Sequence, residues 1–90
     1  MDKVRYRIIF SGRVQGVGFR YRSKYAAEGY GVTGWVRNEP DGTVLMEAQG
    51  SWDQINDMLK LIHQSAYIMI ENVDRQEMPV NPKERGFHIR

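Results

Sequence analysis

The 90-residue sequence contains no cysteine. Disulfides, thiolate metal sites, iron–sulfur clusters and cysteine nucleophiles are therefore excluded. It has only two histidines, His63 and His88, too few and too far apart in the chain for a convincing metal site. Long apolar runs are also missing. The longest strictly apolar stretch, Ala66 to Ile70, falls far short of a membrane-spanning helix. Met1 to Phe10 carries Arg5 and Arg7 where a signal peptide would carry its apolar segment, so the expectation is a cytoplasmic protein. No repeat, low-complexity tract or linker interrupts the chain. An apolar fraction of 41% and a charged fraction of 27% are ordinary for a folded domain. A chain of this size buries roughly 60–65% of its unfolded surface, enough for one core. The expectation is a single domain spanning residues 1–90, monomeric because such a domain needs no partner.

The formal charge of +2 hides an asymmetry. Residues 1–37 hold eight basic residues (Lys3, Arg5, Arg7, Arg13, Arg20, Arg22, Lys24, Arg37) against two acids, Asp2 and Glu28. Residues 38–90 hold five basic and nine acidic residues. The amino-terminal part thus favours an anion, although scattered cations by themselves describe only a solvated basic face.

Val4 to Phe10 alternates, with Val4, Tyr6, Ile8 and Phe10 on one face and Arg5 and Arg7 on the other. That pattern predicts a strand with one buried face. Ser11 to Gly18 holds Gly12, Gly16 and Gly18 and reads as a loop. From Phe19 the spacing becomes helical, with Phe19, Ala26, Ala27 and Tyr30 on one stripe and a stop at Gly29 and Gly31. Val32 to Glu39 reads as a second strand, Pro40-Asp41-Gly42 as a turn, and Thr43 to Gln49 as the returning strand. Ser51-Trp52-Asp53-Gln54 fits a capping box before a helix whose stripe is Trp52, Ile55, Met58, Leu59 and Ile62. Ala66 to Val73, extending towards Met78, reads as a fourth strand. Residues 79–85 form a polar connection, and Phe87 to Arg90 offers a short fifth strand.

The order β-α-β-β-α-β predicts an α+β, ferredoxin-like split βαβ fold: an antiparallel sheet with both helices on one face. Right-handed crossovers leave a gap between the first two strands, which the third fills. The first and second strands then point the same way, about 10 Å apart, with their carboxyl ends at one sheet edge. This brings the glycine loop close to Arg37, Asn38 and Glu39.

Gly12-Arg13-Val14-Gln15-Gly16-Val17-Gly18-Phe19-Arg20 thus joins a strand to a helix. Its glycines let successive N–H groups turn inward around a tetrahedral anion, and the helix start adds free N–H groups and positive potential. Arg20, in the first helical turn, has a planar fork suited to two phosphate oxygens. The glycines alone also fit a tight connection. They do not form a dinucleotide fingerprint, and the lysine of a nucleotide P-loop is missing.

The stretch Gly12 to Arg20 resembles the first signature of the acylphosphatases. Gly34-Trp35-Val36-Arg37-Asn38, followed by Asp41-Gly42-Thr43-Val44, resembles the second. The resemblance covers the whole chain, although Gln64-Ser65 stands where the family often has Gly-Pro. It implies that the backbone amides of Gln15, Gly16, Val17, Gly18, Phe19 and Arg20 hold a phosphoryl group, with Arg20 as its charged ligand. Asn38 would position the attacking water. The implied reaction is hydrolysis of a small acyl phosphate to a carboxylate and inorganic phosphate, with no metal, cofactor or covalent phosphoenzyme.

Other residues read structurally. Asp41 belongs to the turn, Phe19 to the core, and Trp35 to packing on the sheet's open face. Arg13 and Arg22 read as solvated cations. Two alternatives remain open. In one, Arg5, Arg7, Trp35 and Tyr67 belong to a nucleic-acid-binding sheet; Thr43 to Gln49 lacks the aromatic pattern of an RNA recognition motif, which disfavours it. In the other, the loop binds phosphate or carbamoyl phosphate without turnover, as acylphosphatase-like domains also occur within larger carbamoyl-transferring proteins; the short chain favours the enzyme. If no histidine takes part, a His63→Ala, His88→Ala double variant hydrolyses an acyl phosphate at the wild-type rate. A sharp rate loss in the folded double variant refutes this.

Overall fold

The computed structural model describes residues 2–90. Its elements are β1 (Val4–Arg13), α1 (Phe19–Tyr30), β2 (Thr33–Asn38), β3 (Val44–Gly50), α2 (Trp52–His63), β4 (Met69–Met78) and β5 (Phe87–Ile89). The sheet order is β4-β1-β3-β2-β5. β3 therefore lies between β1 and β2, as the handedness argument requires, and pairs antiparallel with both. β4 pairs antiparallel with the outer side of β1. The expectation of an antiparallel sheet holds for these four strands but not for β5, which pairs parallel with β2. After β4 the chain crosses the sheet and turns back along its opposite edge, so the ladder there becomes parallel.

The alternation along β1 produces two differently covered faces. Ile8 and Phe10 are fully buried with Val36, Val44 and Met46 beneath the helices. From α1 the core receives Phe19, Ala26 and Ala27, and from α2 Ile55, Met58 and Ile62. Tyr30, expected on the α1 stripe, is 39% exposed; Ser23 is buried instead, its hydroxyl donating to the Phe19 carbonyl at 2.8 Å. Trp52, expected on the α2 stripe, is also exposed and rests tilted on Tyr6 with ring centroids 5.5 Å apart. It sits in the first turn of α2.

Local signals are realised where the chain chemistry is strongest. The Ser51 hydroxyl accepts from the Gln54 amide at 3.2 Å, and the Gln54 side chain accepts from the Ser51 amide at 2.9 Å. Gly31, left-handed, ends α1 and donates to the Ala27 carbonyl. In the β2–β3 turn the Asp41 carboxylate accepts from both the Thr43 amide and hydroxyl. Those bonds hold the Asp41 carboxyl below the usual carboxylate range, which supports its turn role. α2 ends at Gln64 in a right-handed conformation, so Gln64-Ser65 closes the helix without glycine.

Two boundaries differ from expectation for one reason. β1 continues to Arg13 instead of ending at Phe10, because β4 supplies partners beyond it: Asn72 for Ser11, Ile70 for Gly12 and Met69 for Arg13, across a register shift. β4 correspondingly begins at Met69, and Ala66 to Ile68 lies outside the strand.

The opposite face of the sheet is covered by the polar connection. Arg5, expected to face solvent, is only 3% exposed. Its guanidinium donates to both carboxylate oxygens of Glu84 at 2.7 and 3.0 Å, to Glu47 at 2.7 Å and to Gln49 at 3.1 Å. Gln49 in turn exchanges two bonds with the backbone of Asn81, at 2.8 and 2.9 Å. Trp35 is buried on this face as expected, with the guanidiniums of Arg37 and Arg90 stacked over its ring at 5.2 and 4.8 Å.

Burial pushes the Glu84 carboxyl up, but hydrogen bonds from Arg5 and Thr33 and the charges of Arg5 and Arg90 outweigh it and hold the group below its ordinary value. The Arg5 guanidinium is held further towards its charged form, chiefly by the Glu84 hydrogen bond. A carboxyl with a depressed folded pKa stabilises fully above its unfolded pKa and loses that contribution as pH falls through the folded value. Glu84→Gln is thus expected to cost about 1–3 kcal/mol at pH 7. The difference from wild type should shrink as pH drops below the ordinary value of 4.5. Urea denaturation at pH 7 and pH 3 checks this; an equal difference at both refutes it.

Candidate active site

β1 and β2 are parallel to one another across β3, so Arg13 and Asn38 end at the same sheet edge. Residues 14–18 leave β1 there and enter α1. Two apolar anchors hold this segment. Val14 is 1% exposed, and the Phe19 ring packs on Phe10 with centroids 4.8 Å apart. Between them Gly16 and Gly18 adopt left-handed conformations, with φ of 72° and 80°. A Cβ at either would meet nothing within 4 Å. Glycine is needed here for the backbone conformation, and the protein leaves the space beside both residues open.

Gly18 caps α1 with no side-chain hydrogen bond, and no acidic residue occupies the first turn. The Arg22 amide bonds the Gly18 carbonyl at 3.0 Å, so the amides before it have no carbonyl of their own helix to reach. They present partial positive charge at the helix start. A cavity of about 220 Å³ opens at this point. Gly16, Gly18, Phe19 and Arg20 line it from one side and Asn38 from the strand side, with Val14 and Tyr21 completing the wall.

Arg20 is half-buried and takes part in no salt bridge among the described residues. Its cation is available for a ligand. The Asn38 Oδ1 atom is buried without a hydrogen-bond partner, the only such side-chain atom among the described residues. A buried acceptor left unpaired costs free energy that a water or ligand donor would recover.

The structure thus brings Arg20, Asn38, Gly16, Gly18 and Phe19 to one cavity. Gln15 and Val17 do not line it. The Gln15 side chain turns instead to the β2–β3 turn and donates to the carbonyls of Glu39 and Thr43 at 2.7 and 2.9 Å. Val14 and Tyr21 were not singled out in the sequence. The signal for Val14 is one apolar residue inside a glycine-rich loop; for Tyr21 it is adjacency to Arg20. His63 and His88 are exposed, each ring bonded to a nearby backbone carbonyl at 2.8 Å. Among the described residues no group of three or more His, Cys, Asp or Glu is placed to hold a metal. A larger open groove, about 590 Å³, lies among Tyr25, Glu28, Gly29, Tyr30 and Leu61. Its one charge, Glu28, is an acid already paired with Lys24 at 2.9 Å.

The acylphosphatase family model matches residues 6–89. The chain belongs to the acylphosphatase family. It is 45% identical to an acylphosphatase of Methanospirillum hungatei over 84% of this chain and 86% of that one. It is 39% identical to an acylphosphatase of Rubrobacter xylanophilus over 96% of this chain and 79% of that one. Its fold superposes on the crystal structure of an acylphosphatase from Bacillus subtilis with a TM-score of 0.87 and 32% identity, covering 96% of this chain and 97% of that chain. In this acylphosphatase, Gly18→Ala is expected to lower stability by about 1–2 kcal/mol through the left-handed backbone alone. Thermal or urea unfolding checks the value, and an unchanged stability refutes the strain argument.

Proposed function

We propose that this acylphosphatase hydrolyses the carboxyl–phosphate bond of small acyl phosphates by direct attack of water. The observation that carries the reading is the unpaired Oδ1 of Asn38, a residue lining the same cavity as Arg20 and the first residues of α1. The phosphoryl group sits in the loop, held by backbone amides and by Arg20 as the charged ligand. Water sits against Asn38, which accepts a hydrogen bond from it through Oδ1 and can donate one through its amide nitrogen.

The chemistry asks for little more. The leaving carboxylate has a conjugate-acid pKa of about 4–5, like a side-chain carboxyl, so it departs without a proton donor. The phosphoryl transition state is loose, with charge on its equatorial oxygens, and positioned N–H groups with one guanidinium stabilise it. Asn38 has no titratable proton and acts by position, so the water proton passes to a phosphate oxygen of the substrate. The reading includes no metal, cofactor or phosphoenzyme. It places the enzyme in the cytoplasm as a monomer that releases inorganic phosphate.

Burial of Arg5 against Glu84 and of Trp35 under the Arg37 and Arg90 guanidiniums removes two residues from any base-stacking face, which favours the enzyme over a nucleic-acid-binding module. The cavity is small, so the acyl group remains largely outside. Rates on aryl and alkyl acyl phosphates are expected to lie within about an order of magnitude, a range matching small differences in apolar contact. Variation over several orders of magnitude refutes broad tolerance.

The decisive test is benzoyl phosphate hydrolysis with excess chelator. Arg20→Ala and Asn38→Ala are each expected to cost about 10²–10³-fold or more in turnover while remaining folded by circular dichroism. Arg20→Ala should also weaken inhibition by inorganic phosphate, and Asn38→Ala should not. Wild-type protein that binds phosphate without turnover would instead be a silent anion-binding module.

A further inference from the structure

Gln15 stands next to the glycine loop, yet its side chain points away from the cavity. Its Nε2 atom donates one proton to the Glu39 carbonyl at 2.7 Å and the other to the Thr43 carbonyl at 2.9 Å. Each carbonyl already accepts one bond within the turn: Glu39 from the Gly42 amide at 3.1 Å, and Thr43 from the Glu39 amide at 2.9 Å. The side chain of Gln15 therefore completes a network that closes the turn directly after Asn38.

Asn38 needs such support. It forms the last β2–β3 pair, opposite Val44. On the other side of β2 the β5 pairing spans only Gly34 to Val36. Asn38 thus has a strand neighbour on one side only, and its Oδ1 bonds to nothing in the described chain. What fixes its backbone is the turn that follows, and what ties that turn to the phosphate loop is Gln15.

We infer that Gln15 is a positioning residue: its carboxamide couples the phosphate loop to Asn38 and sets where the attacking water stands relative to the phosphoryl group. This rests on the assignment of Asn38 to water. It differs from a role for Gln15 through its backbone amide alone, which any residue at the position could fill. A small misplacement of the reacting groups costs up to about 10²-fold in rate.

Gln15→Leu removes both donors at similar size. The folded variant, verified by circular dichroism, is expected to lose at least tenfold in kcat on benzoyl phosphate. Inhibition by inorganic phosphate should stay within twofold of wild type, because Arg20 and the loop amides remain. In an Asn38→Ala background, Gln15→Leu should cost nothing further. Gln15→Ala serves as the second variant if Gln15→Leu does not fold. An unchanged kcat overturns the inference. So does a loss of phosphate inhibition as large as the loss of kcat, which would make Gln15 a support of the loop only. So does a loss that multiplies with that of Asn38→Ala. If Asn38→Ala itself turns over like wild type, the water assignment fails and the coupling with it. If Asn38→Ala is crippled while Gln15→Leu is not, only the coupling fails.

Discussion

The insertion of β3 between β1 and β2 is the constraint on which the site depends. Antiparallel pairing on both sides of β3 makes β1 and β2 parallel, so both deliver their carboxyl ends to one edge. A glycine-rich loop and an asparagine, distant in sequence, then line one cavity without any dedicated connecting element. The anchors are ordinary core contacts. Val14 and Phe19 are buried for the same apolar reasons as Ile8 or Met46, and they anchor the two ends of the segment that holds the left-handed Gly16 and Gly18. The site's geometry is thus inherited from the core.

The far face of the sheet contributes by being closed. Arg5 at its centre is buried against Glu47, Glu84 and Gln49. A buried guanidinium is tolerated when its donors and charge are both matched, and the bidentate contact with Glu84 provides much of that match. The same contact pins residues 79–86, which carry the chain from β4 across to β5. The parallel β2–β5 ladder and the ion pair are therefore two ends of one arrangement. It lies on the face opposite the helices, away from the cavity lined by Gly16, Arg20 and Asn38.

Much of this was legible in the residues. Alternation in β1, the Ser51–Gln54 capping box and the Asp41-Gly42 turn are local signals, and local chemistry realised them. The juxtaposition of Gly16, Gly18 and Arg20 with Asn38 followed from connection handedness, and the roles of Arg20 and Asn38 came from the resemblance to a family. Nonlocal partners were not legible. Nothing in Val4 to Phe10 announces that β4 extends β1 to Arg13, or that Glu84 arrives to bury Arg5. Gln15 illustrates the limit best, because its partners are backbone carbonyls, which leave no trace in the identity of Glu39 or Thr43.

That limit bears on how so small a site can work. The described residues at the cavity include no cysteine, histidine or carboxylate, so neither a protein nucleophile of that kind nor a strong base faces it. The scissile bond supplies what such groups would otherwise provide, since its leaving group is already stable as an anion. What remains for the protein is to hold charge and fix distance. In the proposed site, charge is held by one guanidinium and by backbone amides, whose positions depend on glycine conformations. Distance depends on how rigidly the loop is joined to the end of β2. Where an enzyme acts by placement more than by acid–base chemistry, residues that never touch substrate can control the rate, and a carboxamide bridging two backbone segments belongs among them.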